Sequence, residues 1–65
     1  MNKLKYLSNE IDRLAKQHPI LEEEMLEYFD LATMEIEEGG SLDHEVSLAL
    51  RSIYELIKIS KNEEV

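Results

Sequence analysis

Apolar residues recur along this chain at the three- and four-residue intervals of an α-helix, and no window alternates between apolar and polar residues as a strand would. Two interruptions divide the pattern. Pro19 ends the first apolar series and suits the first turn of the next helix. The segment Gly39-Gly40-Ser41 ends the second series, because glycine favours the left-handed conformation at a helix C-terminus and serine is a good N-cap. The pattern predicts helices near residues 3–17, 19–38 and 42–60, with a frayed tail at 61–65.

Each predicted helix has a main apolar face that can contribute to a common core. The face of helix 1 is a narrow stripe, whereas those of helices 2 and 3 are broader. The short Gly-Gly-Ser connection makes helices 2 and 3 an antiparallel hairpin, across which helix 1 can pack. We therefore predict an all-α, three-helix domain over residues 1–60. The main-face residues are Leu4, Leu7, Ile11, Leu14 and Ala15 in helix 1, Leu21, Met25, Tyr28, Phe29, Ala32 and Ile36 in helix 2, and Leu42, Val46, Ala49, Leu50, Ile53, Leu56 and Ile57 in helix 3.

Helices 2 and 3 carry further apolar residues outside these main faces: Ile20, Leu31, Met34, Leu48 and Ile59. Ile20 and Leu31 are eleven residues apart, as are Leu48 and Ile59. Since eleven residues make about three helical turns, each pair is aligned along one side of its helix. Two interpretations are open. These five residues form an interface with a partner protein or a second copy of the chain, or a rotation of the helices buries them inside the bundle.

The size of the chain favours self-association. With 65 residues and no cysteine, it can form neither a disulfide nor a thiolate metal site. A core this small is marginally stable, and a second subunit is the remaining way to enlarge it. We expect a homodimer. No apolar run approaches the roughly 20 residues of a membrane span, and the N-terminus lacks the apolar region of a secretory signal, so we expect a cytoplasmic protein with no membrane partner.

Negative charge is concentrated in the second predicted helix. The chain has 15 acidic and 7 basic residues, and residues 19–40 contain eight acids and no base. Phosphates would repel this charge, which argues against direct nucleic-acid binding. The acids are either a solvated face, partly neutralised by the basic helix 1, or a functional acidic surface. In the second case, Glu22, Glu23, Asp30 and Glu37 would imitate the phosphate spacing of a nucleic acid.

Candidate chemistry is sparse. Helical di-iron sites place a glutamate three residues before a histidine, but Ala15 and Ser41 hold those positions before His18 and His44. Ser41 is expected to cap helix 3 rather than to act as a nucleophile. Three short helices also leave little volume for a substrate pocket. We expect no catalytic residues, no metal and no cofactor.

These patterns predict a small acidic, non-catalytic regulatory protein that acts by occupying a protein partner. An origin in a phage or another mobile element would suit such a protein. One alternative is an acidic nucleic-acid mimic that inhibits a DNA- or RNA-binding protein. Another alternative is a purely structural helical oligomer. The motifs assign the chain to no family.

Overall fold

A computed structural model describes residues 2–63 and contains three α-helices packed together, with no strand among the described residues. Helix α1 covers Lys3–Gln17, α2 covers Glu22–Glu37 and α3 covers Leu42–Glu63. A short 3-10 turn, Pro19–Leu21, precedes α2. The predicted all-α, three-helix architecture is therefore confirmed.

The first two helices begin where side chains and proline favour it. The Asn2 side chain caps α1, since its oxygen accepts a hydrogen bond from the backbone N–H of Leu4 at 3.0 Å. His18 precedes Pro19 with φ −135° and ψ 67°, outside the α-helical region that a following proline disfavours. The chain then makes one 3-10 turn, in which the Leu21 N–H donates to the His18 carbonyl at 3.0 Å. The α-helical part of the second helix consequently starts at Glu22, three residues later than predicted.

The glycine pair ends α2 and reverses the chain. Gly39 has φ 104°, the left-handed conformation that a side chain disfavours. Its N–H donates to the Ile36 carbonyl at 3.1 Å, and the Gly40 N–H donates to the Glu35 carbonyl at 2.8 Å, which is the Schellman pattern. A Cβ at Gly40 would lie only 2.7 Å from the Glu35 carbonyl oxygen. Glycine at both positions therefore permits the tight connection that makes α2 and α3 a hairpin.

Helix α3 continues beyond its predicted end. Residues 61–63, which were predicted to begin a frayed tail, are helical, while residues 64 and 65 of that tail lie outside the described residues. No glycine or proline interrupts residues 59–63. Lys61 in the last turn also interacts favourably with the negative end of the helix dipole.

The core lies where the three helices meet. Its largest fully buried side chains are those of Leu7, Ile11, Met25 and Ile53. All predicted main-face residues are buried or half-buried, except Leu42, the first residue of α3, which is 38% exposed. Helix α1 packs against both α2 and α3, and thus covers one side of the hairpin.

A polar network also joins α1 to α3. One carboxylate oxygen of Glu10 accepts a hydrogen bond from the Arg13 guanidinium at 2.7 Å and another from the Tyr54 hydroxyl at 3.2 Å. Lys3 of α1 forms an ion pair with Asp43 of α3. The hydrogen bond from Arg13 is the main cause that lowers the pKa of Glu10 below its ordinary value of 4.5.

We predict that Glu10→Gln lowers the free energy of unfolding at pH 7. Because the pKa of Glu10 is lower in the folded chain than in the unfolded chain, its carboxylate stabilises the fold above pH 4.5, and this contribution is lost as the pH falls through the folded-state pKa. Urea unfolding followed by circular dichroism should therefore show a difference from the wild type that shrinks in acid. Asp12→Asn is the control, since Asp12 is exposed on the same helix. An equal, equally pH-dependent loss in that control would contradict the prediction.

Candidate protein-binding groove

A groove runs between α2 and α3. It consists of two adjoining depressions, of about 470 and 220 Å³, that share Tyr28, Leu48 and Ser52 in their walls. Among the described residues, none from α1 lines either depression, because α1 packs on the opposite side of the hairpin. We call this feature the α2–α3 groove.

Small side chains line the smaller of the two depressions. Ala32 of α2 and Ala49 of α3 line it and are 4% and 5% exposed. An alanine fills little of the space between two helices, so the surface is concave at this point. Tyr28 and Leu56, both half-buried, line the larger depression. The result is an open, largely apolar depression rather than a closed cavity.

Exposed apolar side chains form the upper walls of the groove. Leu31 of α2 is 54% exposed, and Leu48 and Ile59 of α3 are 43% and 53% exposed. Leu31 lines one depression, Ile59 lines the other, and Leu48 lines both. The fold thus brings three of the five predicted interface residues to one surface, and none of the three is buried by a rotation of the helices.

The other two predicted interface residues are exposed outside the groove. Ile20 is 93% exposed and Met34 is 53% exposed, and neither lines either depression. Ile20 belongs to the 3-10 turn, whose residues follow three per turn rather than 3.6. The predicted alignment of Ile20 with Leu31 assumes an unbroken α-helix, which this 3-10 turn interrupts.

Charged residues form the rim of the groove, and most of them are acidic. Glu35 and Glu45 flank one depression, and Glu55 and Arg51 flank the other. Sequence reasoning did not identify these four residues, although a signal was available. Each rim glutamate stands three or four residues from an apolar groove residue, which places the two on neighbouring positions of one helix. Glu35 is four residues after Leu31, Glu45 is three before Leu48, and Glu55 is four before Ile59.

The predicted acidic surface lies elsewhere on α2. Glu22, Glu23, Asp30 and Glu37 are all exposed, and none of them lines the groove. Glu23, Asp30 and Glu37 follow one another at seven-residue intervals, so they lie along one side of the helix. Glu22 and Glu23 occupy the first turn, where carboxylates stabilise the positive end of the helix dipole. None of the four is in an ion pair within residues 2–63.

The serine that could have served as a nucleophile instead caps a helix. The Ser41 hydroxyl oxygen accepts a hydrogen bond from the backbone N–H of His44 at 3.4 Å, as an N-cap does. Within residues 2–63, no three histidine, aspartate or glutamate side chains are grouped as a metal site would require. In the same range, no helix combines the length and the apolar character that crossing a membrane requires.

Comparisons of the chain with protein-family profiles, with curated proteins and with solved structures find no significant match.

We predict that Leu31→Glu and Leu48→Glu each leave the fold intact. Both side chains are about half exposed, so each substitution should change the free energy of unfolding of the monomer by about 1 kcal/mol or less. Ile53→Glu is the contrasting variant on α3, because it places a charge at a fully buried position and should unfold the chain. Circular dichroism and urea unfolding would measure all three. Unfolding by the groove variants would mean that these residues belong to the core.

Proposed function

We propose that this is a non-catalytic regulatory protein that binds a partner protein through the α2–α3 groove and acts by occupying that partner. The observation that carries the proposal is the convergence of Leu31, Leu48 and Ile59, all exposed, on one concave surface. Apolar side chains from two helices that line a groove together form a continuous patch. Patches of this kind mark interaction surfaces more often than scattered exposed residues do.

The lining of the groove supports binding rather than catalysis. It contains hydroxyl groups from Tyr28 and Ser52 but no histidine that could serve as a base. Nucleophilic catalysis uses a nucleophile that is hydrogen-bonded to an oriented base, and within residues 2–63 neither hydroxyl donates to a rim carboxylate. A shallow surface with apolar walls and a charged rim instead matches the composition of protein interfaces, which have apolar centres and polar edges.

The proposal predicts that partner capture depends on the groove. Tagged wild type, Leu48→Glu and Leu26→Glu would each be incubated with an extract of the organism that encodes the protein. Leu26 is 46% exposed on α2 and does not line the groove. Leu26→Glu therefore makes the same change in polarity and charge as Leu48→Glu at a position outside the groove. We expect a protein that the wild type and Leu26→Glu retain and that Leu48→Glu does not retain. It would then be purified and its affinity measured. Equal retention by all three would contradict the proposal.

A homodimer is the second candidate for this surface. The groove residues come from two antiparallel helices, so two copies could stack their hairpins into a four-helix layer with each α1 outside. Such a chain could also be a purely structural oligomer. This candidate predicts a doubled mass by light scattering that falls to the monomer mass in Leu48→Glu. A strict monomer from micromolar to millimolar concentration would exclude it.

An acidic nucleic-acid mimic is the third candidate. The eight acidic residues between positions 19 and 40 are all exposed, which leaves them free to meet a basic cleft. Binding of this kind weakens steeply with salt. It would also depend on the acidic surface of Glu22, Glu23, Asp30 and Glu37 rather than on Leu48. Binding that persists in high salt would exclude this candidate in favour of the apolar groove.

A further inference from the structure

We infer that the ligand of the α2–α3 groove is an amphipathic helix of about three turns, with basic residues on both sides of its apolar stripe. This inference rests on the proposed function, because it specifies the partner of the same surface. Three features of the structure support it: the shape of the hairpin, the length of the apolar wall and the charge of the rim.

The opposite side of the hairpin shows what shape of ligand fits between α2 and α3. There, α1 lies against α2 and α3 and buries Leu7, Ile11 and Leu14, spaced by four and three residues. The open groove is bounded by the same two helices as the covered one. A helix with the same spacing of apolar residues therefore fits the open groove as α1 fits the covered one, in the manner of helix-in-groove recognition.

The length follows from the spacing of the apolar wall. Leu48 and Ile59 are eleven residues apart on α3, which is about 16 Å along the helix axis. Tyr28 lies in the wall common to both depressions, between these two ends. A ligand helix of about three turns would span this distance, with apolar side chains at i, i+4, i+7 and i+11.

The charge of the rim selects a basic ligand. Glu35, Glu45 and Glu55 line the groove, whereas Arg51 is the single basic residue in its lining. The remainder of α2 adds acids and no base. Lysine or arginine beside the apolar stripe of a ligand would meet these carboxylates. All charged residues of α2 are acidic, and a second copy would bring another such helix toward the first. Charge therefore favours a basic partner over self-association.

A synthetic peptide provides the test. The probe is a helix of about 15 residues with leucine at i, i+4, i+7 and i+11, lysine on both flanks and alanine elsewhere. Two control peptides accompany it: one with glutamate in place of lysine, and one with the same composition scrambled so that no stripe forms. Binding to the full-length protein would be measured by fluorescence anisotropy at physiological salt, and the mass of the complex by sedimentation.

We expect the basic peptide to bind and both control peptides to bind at least about tenfold more weakly. Leu48→Glu should also weaken binding of the basic peptide by about tenfold or more, although it adds a negative charge that would strengthen a purely electrostatic attraction. Leu26→Glu should leave the affinity unchanged. Glu35→Gln combined with Glu45→Gln should weaken binding about two- to fivefold per carboxylate. The pair Asp30→Asn and Glu37→Gln removes the same charge outside the groove and should have little effect.

Four results would overturn the inference. Equal binding to Leu48→Glu and Leu26→Glu would mean that the peptide recognises only the general negative charge. Equal affinity for the basic and acidic peptides would mean that the rim does not select the ligand, and failure of every peptide would mean that the groove takes another ligand. In the last two cases, partner capture that still depends on Leu48 would leave the proposed function standing. A groove-dependent dimer that the basic peptide does not dissociate would identify a second copy as the occupant.

Discussion

A hairpin of two helices has two grooves, and within residues 2–63 one further helix packs against the hairpin. Helix α1 covers one groove with Leu7, Ile11 and Leu14, which creates the core. The other groove stays open to solvent. The core and the candidate binding surface therefore lie on opposite sides of the α2–α3 hairpin. The apolar groove is exposed because α1 packs on the other side.

This arrangement links partner binding to stability. The core of residues 2–63 contains ten buried apolar residues, which is little for an independent domain. Any ligand that binds the folded chain and not the unfolded chain stabilises the fold by mass action. A partner in the groove would also bury apolar surface of Leu31, Leu48 and Ile59 that the chain leaves in water. A bound partner would therefore stabilise the fold, as disulfides and structural metals do in other small domains.

Much of the fold could be predicted because its signals are local. The period of the apolar residues located the helices, and the Gly39-Gly40 pair located the reversal between α2 and α3, since only a few neighbouring residues decide a helix end. The same locality explains an error of detail. Pro19 was expected to begin an α-helix, but it begins a 3-10 turn, which interrupts the α-helical spacing between Ile20 and Leu31.

The candidate site was only partly predictable. Its apolar residues stood out in the sequence because they lie away from the main faces of α2 and α3. The rim of Glu35, Glu45 and Glu55 did not stand out, because acids occur throughout the chain and periodicity does not say which of them meet across two helices.

Local patterns in the sequence account for the helices, the hairpin, the excess of negative charge and the presence of apolar residues beyond one face. Which of those residues share a surface depends on how the helices pack. The reason is that the rotation of each helix about its axis, and the groove that α1 occupies, are set by packing between side chains such as Ile11, Met25 and Ile53, which are distant in the sequence.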